Sequence, residues 1–149
     1  MFDSPYMFGA RRLVTHVTGV KPEERALIVI DADTDPIIGG ALEAALGEAG
    51  AQVQVLRTER AKTDSGEPPE HVAKAIEAAD VTFLAVQVSL THTDAVKASC
   101  ARGGRVAALT QWVPEMLVKG GIEADFHAIE PRVMRVAAAW DAGKAVRVT

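Results

Sequence analysis

The chain has 149 residues, enough for one domain that buries roughly 68–70% of its unfolded surface. Its 48% hydrophobic and 24% charged residues and net charge of −4 exclude the disordered and fibrous classes, and with no cluster of Lys and Arg they exclude a phosphate-binding face, so no nucleic-acid partner is expected. A single cysteine, Cys100, excludes an internal disulfide and a cysteine metal knuckle, and only 5% of the residues are aromatic, so the core must be aliphatic.

No basic segment followed by an apolar one opens the chain, and no apolar run nears the ~20 residues of a membrane span. These features predict a cytoplasmic protein with no membrane partner. Within residues 5–18, Met7, Ala10, Leu13, Val14 and Val17 recur at spacings of three and four, which predicts an amphipathic helix stopped at Gly19. After the polar VKPEER comes Ala26 to Ile30, apolar without alternation, as expected of a central parallel strand covered on both faces.

Three alternating aspartates follow, Asp31, Asp33 and Asp35. Asp35 before Pro36 reads as a helix cap ahead of a first-turn proline. Ile37, Ala41, Leu42, Ala45 and Leu46 then form an apolar stripe, and Gly50 suits a left-handed helix end. AQVQVL (Ala51 to Leu56) alternates like a half-exposed strand near a sheet edge.

The polar stretch RTERAKTDSGEPPE reads as a surface loop, a candidate flap, before a helix opened by Pro69 with Val72, Ala73, Ile76 and Ala79 on its buried side. A third strand spans Val81 to Val86. Its crest contains SLTHTD, where Thr91 or Thr93 can cap a helix over about 94–102 that ends at Gly103 and Gly104. Arg105 to Leu109 is a fourth strand, and a short helix begins at Pro114. Residues 123–140 carry helical periodicity that Pro131 is expected to divide, and KAVRVT looks like the start of another strand. Strands alternating with helices predict a three-layer α/β/α sandwich around a mainly parallel sheet of about four strands, flavodoxin-like or Rossmann-like.

In such sheets ligands bind beyond the carboxyl ends of the strands, which makes the two crests the first places to seek chemistry. The aspartates do not form a calcium loop, because the positions that need Gly and Glu hold Pro36 and Leu42. They could hold Mg²⁺ or a substrate amine. The plainer reading makes Asp35 a cap and the other two solvated turn residues. Neither G-x-G-x-x-G nor a P-loop is present.

Ser89, Thr91, His92 and Thr93 set hydroxyls and an imidazole beside a helix N-terminus, where amides and dipole favour an anion, and they are the leading substrate-binding candidates, with Asp33 and Asp35 second. The plainer reading is a capping turn with His92 partly exposed. A hydrolase using Ser89 or Thr91 with His92 needs a base in hydrogen-bond reach, which sequence adjacency does not supply. His16, His71 and His127 lack metal-site spacing and read as surface or packing residues, Cys100 as a small core residue, and Trp112 as a crevice or rim residue.

VKPEERALIVIDADTDPIIGGALEAALGEAGAQVQVL, EAADVTFLAVQVSLTHTDAVKASCARGGRVA and PEMLVKGGIEAD, in this order, resemble the N-terminal domain of the aminopeptidase T-like superfamily, which includes 2,5-dihydroxypyridine 5,6-dioxygenases. The resemblance implies a metal-dependent enzyme of roughly double this length, active in peptide hydrolysis or ring cleavage. Its divalent metal (Fe, Zn, Mn or Co) would lie in a C-terminal catalytic domain or a separate catalytic chain. This chain alone is then expected to bind no cofactor and supply no catalytic residue; it would shape the substrate crevice and an interface in a homo- or hetero-oligomer. The competing reading is a stand-alone, non-catalytic flavodoxin-like binding module.

Overall fold

Val29, Ile28 and Phe83 are the residues that a sheet covered on both faces requires, and each is fully buried in the computed structural model, which describes residues 4–147. The helix α1 (Met7–Arg12) runs directly into a π-helical turn (Leu13–Val17). There follow β1 (Arg25–Ile30), α2 (Pro36–Glu48), β2 (Gln52–Arg57), α3 (Glu70–Ala78), β3 (Val81–Ala85), α4 (Asp94–Ala101) and β4 (Arg105–Ala108). Two 3₁₀ turns, Pro114–Leu117 and Gly121–Glu123, lead to α5 (Phe126–Ala142).

All strands are parallel, in the order β2-β1-β3-β4, and Ile28 stands beside Val55 on one side and Phe83 on the other. Alternate residues of β1 and β3 serve opposite layers. Ala26, Ile28, Val81 and Phe83 pack with Leu13, Val14, Leu42 and Leu46 on the face of α1 and α2. Leu27, Val29 and Leu84 pack with Val72, Ile76 and Val96 on the face of α3 and α4. Burying a side chain of this size stabilises by about 1.5–3 kcal/mol, which is why continuously apolar strands occupy the centre. The edge strand β2 is half exposed, as its alternation predicts.

The helix ends follow local chemistry. Asp35 caps α2 by accepting from the Ile37 amide. At the far end Gly50 takes φ +76°, so that its own amide and that of Ala51 reach the carbonyls of Gly47 and Leu46.

Several expectations change. Pro131 lies inside α5 and does not divide it: it removes one amide from a helix with no buried residue, where water can take the freed carbonyl. Lys144 to Arg147 form no strand, and residues 148–149 lie outside the described residues. Cys100 is exposed on α4 and is not a core residue. No helix among the described residues is long and apolar enough to cross a membrane.

Candidate functional site

The crests after β1 and β3 are neighbours because those strands are paired, yet their helices depart to opposite faces, α2 to one and α4 to the other. That divergence opens the crevice where doubly wound sheets hold ligands. Here a buried carboxylate stitches the crevice floor. Asp31, 1% exposed, accepts from the Asp33 amide (3.1 Å) and the Thr34 hydroxyl (2.9 Å) at one oxygen, and from the Gln87 amide (2.7 Å) at the other. Thr34 in turn accepts from the Asp31 amide (3.0 Å) and lies 2.6 Å from the Ala85 carbonyl.

Donors around a carboxylate are the condition for burying it. Asp31 is therefore no solvated turn residue: the structure corrects that expectation and gives it the task of joining two crests 56 residues apart.

The three aspartates do not converge. Asp33 is exposed and pairs with Arg60 at 2.9 Å, both side chains being more than half exposed, and Asp35 is spent on the α2 amide. Mg²⁺ would need their oxygens on one point, and each carboxylate has a different partner. Among the described residues no three His, Cys, Asp or Glu side chains are grouped to hold a metal ion.

The residues of the second crest separate into roles. Thr93, fully buried, caps α4 by accepting from the Val96 amide (3.4 Å) and donates to the Leu90 carbonyl (2.8 Å). Ser89 donates its hydroxyl to Thr91 (2.9 Å) and accepts from the Thr91 amide (3.2 Å). The Ser89 proton thus points to a hydroxyl and not to an imidazole, so no base is paired with it. His92 is exposed on the same turn. Ser89 and Thr91 are brought together, Thr93 is turned inward beneath them, and Asp33 and Asp35 stay on the neighbouring crest.

Beside these residues lies a cavity of about 380 Å³ that the sequence reading did not locate. Asp31, Val86 and Leu90 line it from the two crests, and Thr58, Arg60 and Lys62 from the segment after β2. That segment was expected as a candidate flap, but it is stitched down. The Ser65 amide donates to the Ser89 carbonyl (2.7 Å), the Ser89 amide to Asp64 (3.1 Å), and the Asp94 amide at the start of α4 to Glu67. The Thr58 hydroxyl, on a residue 8% exposed, has no hydrogen-bond partner, which is costly for a buried polar group unless something else supplies one. The signal in the sequence was positional only: residues 58–62 follow a strand, as the other two crests do.

A second concavity, of about 710 Å³ and mostly apolar, runs along the free side of β4, lined by Val17, Val106, Trp112, Met116, Ile122 and Phe126. Trp112 is thus a crevice residue. Phe126 joins this groove to α5, on which Ile129, Val133, Val136 and Trp140 continue at alternating spacings of three and four, each 39–71% exposed.

No family model matches the sequence, and no curated protein matches it. Among solved structures the fold is similar to 2,5-dihydroxypyridine dioxygenase from Pseudomonas putida KT2440, with TM-score 0.60 and 17% identity, over 75% of this chain and 36% of that one. This likeness shows the α/β fold, and the chain spans about a third of that protein's length.

Proposed function

We propose that this chain is the crevice-forming α/β domain of an enzyme resembling the dihydroxypyridine dioxygenase, with metal chemistry supplied by a catalytic domain or chain outside it. The observation that carries the reading is the cavity at the carboxyl ends of β1, β2 and β3. It has an apolar floor at Val86 and Leu90, an unpartnered hydroxyl at Thr58, and the cations Lys62 and Arg60, the latter shared with Asp33, beside the carboxylates Asp31, Glu59 and Glu67. A small planar ring with ionisable hydroxyls is complementary to that set: the apolar floor takes the ring face and the cations take the oxygens. Ser89 and Thr91 stand at the adjoining turn to extend the site toward the rest of the substrate. The unfilled apolar groove along β4 and the exposed stripe of α5 support a docked domain or chain, since contiguous apolar surface marks an interaction face.

Amide chemical-shift titration of the chain with 2,5-dihydroxypyridine tests the reading, with a dipeptide as the comparison ligand for the peptide-hydrolysis activity that the resemblance also implies. Expected are shifts confined to residues 58–63 and 86–91, and binding weakened about tenfold by Arg60→Ala together with Lys62→Ala, roughly the loss of one charge-assisted hydrogen bond. Shifts with the dipeptide alone would replace ring cleavage by peptide hydrolysis. Absence of shifts with either at millimolar concentration refutes the crevice assignment.

A further inference from the structure

The root of α5 brings together two histidines that are 111 positions apart, so no sequence motif could announce them. His16 sits in the π-helical turn and His127 in the first turn of α5, with ring centroids 5.8 Å apart and planes inclined at 54°. Metal–imidazole bonds of about 2.0–2.1 Å place two rings sharing one ion roughly 4.5–5 Å apart, centre to centre, at octahedral and tetrahedral angles, so these rings need close by only about 1 Å to share an ion. Both residues are exposed, which leaves room for water to complete a coordination sphere.

The contacts of Thr15 favour one tautomer of His16. Thr15 Oγ1 lies 2.7 Å from the Arg11 carbonyl and 2.7 Å from His16 Nδ1. A hydroxyl has one proton, and a carbonyl can only accept, so that proton goes to Arg11. With that proton on Arg11, the short contact to Nδ1 is a hydrogen bond when the ring carries the Nδ1 proton and the Thr15 oxygen accepts it. In the neutral ring the lone pair is left on Nε2. This is the arrangement of a ligating histidine, whose second nitrogen donates to an oxygen that fixes ring and tautomer. It needs no carboxylate, and imidazole selects Cu²⁺, Ni²⁺ and Zn²⁺ over Ca²⁺ and Mg²⁺.

We propose that His16 and His127 form a two-imidazole site for a divalent transition-metal ion, which fastens the base of α5 to the body of the domain. The base has a second fastening: the Arg12 guanidinium lies 5.5 Å from the ring centres of Phe8 and Phe126 and donates to the Ala124 carbonyl. Arg12 lines the same hollow as His16 and its charge opposes a cation, so the site is one of modest affinity that water ligands and a docked partner can complete. The proposal rests on the geometry of this junction and not on the reading of the crest cavity. It qualifies the expectation that the chain alone binds no cofactor, since this site lies away from the crests.

The test is calorimetric titration of the full, tag-free chain with CuCl₂, NiCl₂ and ZnCl₂, read alongside amide hydrogen exchange over residues 126–136. Expected is one ion per chain, tightest for Cu²⁺, with affinity reduced at least tenfold by His16→Ala or by His127→Ala and unchanged by His71→Ala or Cys100→Ser. The metal should slow exchange over 126–136 in the parent chain and in Cys100→Ser, but not in His127→Ala. Absence of binding overturns the proposal. So does binding that survives both histidine substitutions or is lost with the exposed thiol of Cys100.

Discussion

The carboxyl edge of β1 and β3, rich in polar residues, and the outer flank of β4, mostly apolar, meet their needs in opposite ways. At the first, the buried polar side chains that follow these strands are matched inside the chain: Asp31 is 1% exposed and takes three donors, and Thr93 is fully buried with its hydroxyl shared between Val96 and Leu90. At the second, Val133 and Trp140 are 56% and 71% exposed, and α5 buries none of its residues. The contrast teaches where the chain is self-sufficient. The crest hydrogen bonds close within this chain, whereas the flank of β4 and α5 has apolar surface that the described residues do not cover.

The largest effect should come from breaking the stitched edge. Asp31→Ala strands the Gln87 and Asp33 amides, while the Thr34 hydroxyl keeps the Ala85 carbonyl, and at about 1–3 kcal/mol for each unsatisfied group the loss should reach about 3 kcal/mol in urea denaturation. A loss below about 1 kcal/mol would show that the two crests are held by the sheet and not by this carboxylate. Next comes the seam where the flank is anchored. A Cβ on Gly9 would lie 2.2 Å from the Leu117 carbonyl oxygen, backbone against backbone, so Gly9→Ala should cost about 2–3 kcal/mol. Gly40→Ala is the control, since nothing lies within 4 Å of a Cβ there, and it should stabilise α2 by about 0.5–1 kcal/mol.

The sheet was legible in the sequence because burial on two faces forces unbroken apolar runs, as in Ala26 to Ile30, and burial on one forces alternation, as in AQVQVL. The caps at Asp35 and Thr93 were legible because the chemistry of a helix start is local. Asp31 was not, because its value depends on Gln87, brought close only by strand pairing. Thr58, Arg60 and Lys62 were hidden for the same reason: a polar loop looks the same in sequence whether it is solvated or stitched over a cavity. The pairing of His16 with His127 depends on where the chain turns after Gly121–Glu123, which no periodicity encodes. Pro131 misled because a proline penalty is decided by whether the freed carbonyl meets solvent.

A smaller, pH-dependent effect belongs to the opposite end of the sheet. Asp80 accepts from the Arg25 side chain at 2.7 Å and from its amide at 2.9 Å, and these bonds lower its pKa from 3.8 to about 2. A lowered folded-state pKa gives stability that is present in full above pH 3.8, declines below it, and is gone below about pH 2. Because the pair is partly exposed, the contribution should be no more than about 1 kcal/mol. Asp80→Asn should flatten the stability profile between pH 4 and 2 and leave the Asp31 effect untouched; an unchanged slope would remove Asp80 from the acid response.

The smallest expected effect sharpens the comparison most. Val133→Ser and Trp140→Ser change two of the most exposed apolar side chains, and surface substitutions with no buried partner usually stay within ±0.5 kcal/mol. Their stability cost in the isolated chain should therefore be near zero, in contrast to the ~3 kcal/mol expected at Asp31. If either costs more than about 1.5 kcal/mol, the stripe is packed in solution, and repeating the denaturation at several protein concentrations identifies the cover. A cost that grows with concentration means a second copy of the chain, because association stabilises by mass action. A cost independent of concentration means that α5 folds back on its own domain. Near-zero cost in isolation, together with loss of stability or affinity once a catalytic domain or chain is added, would place that partner on α5.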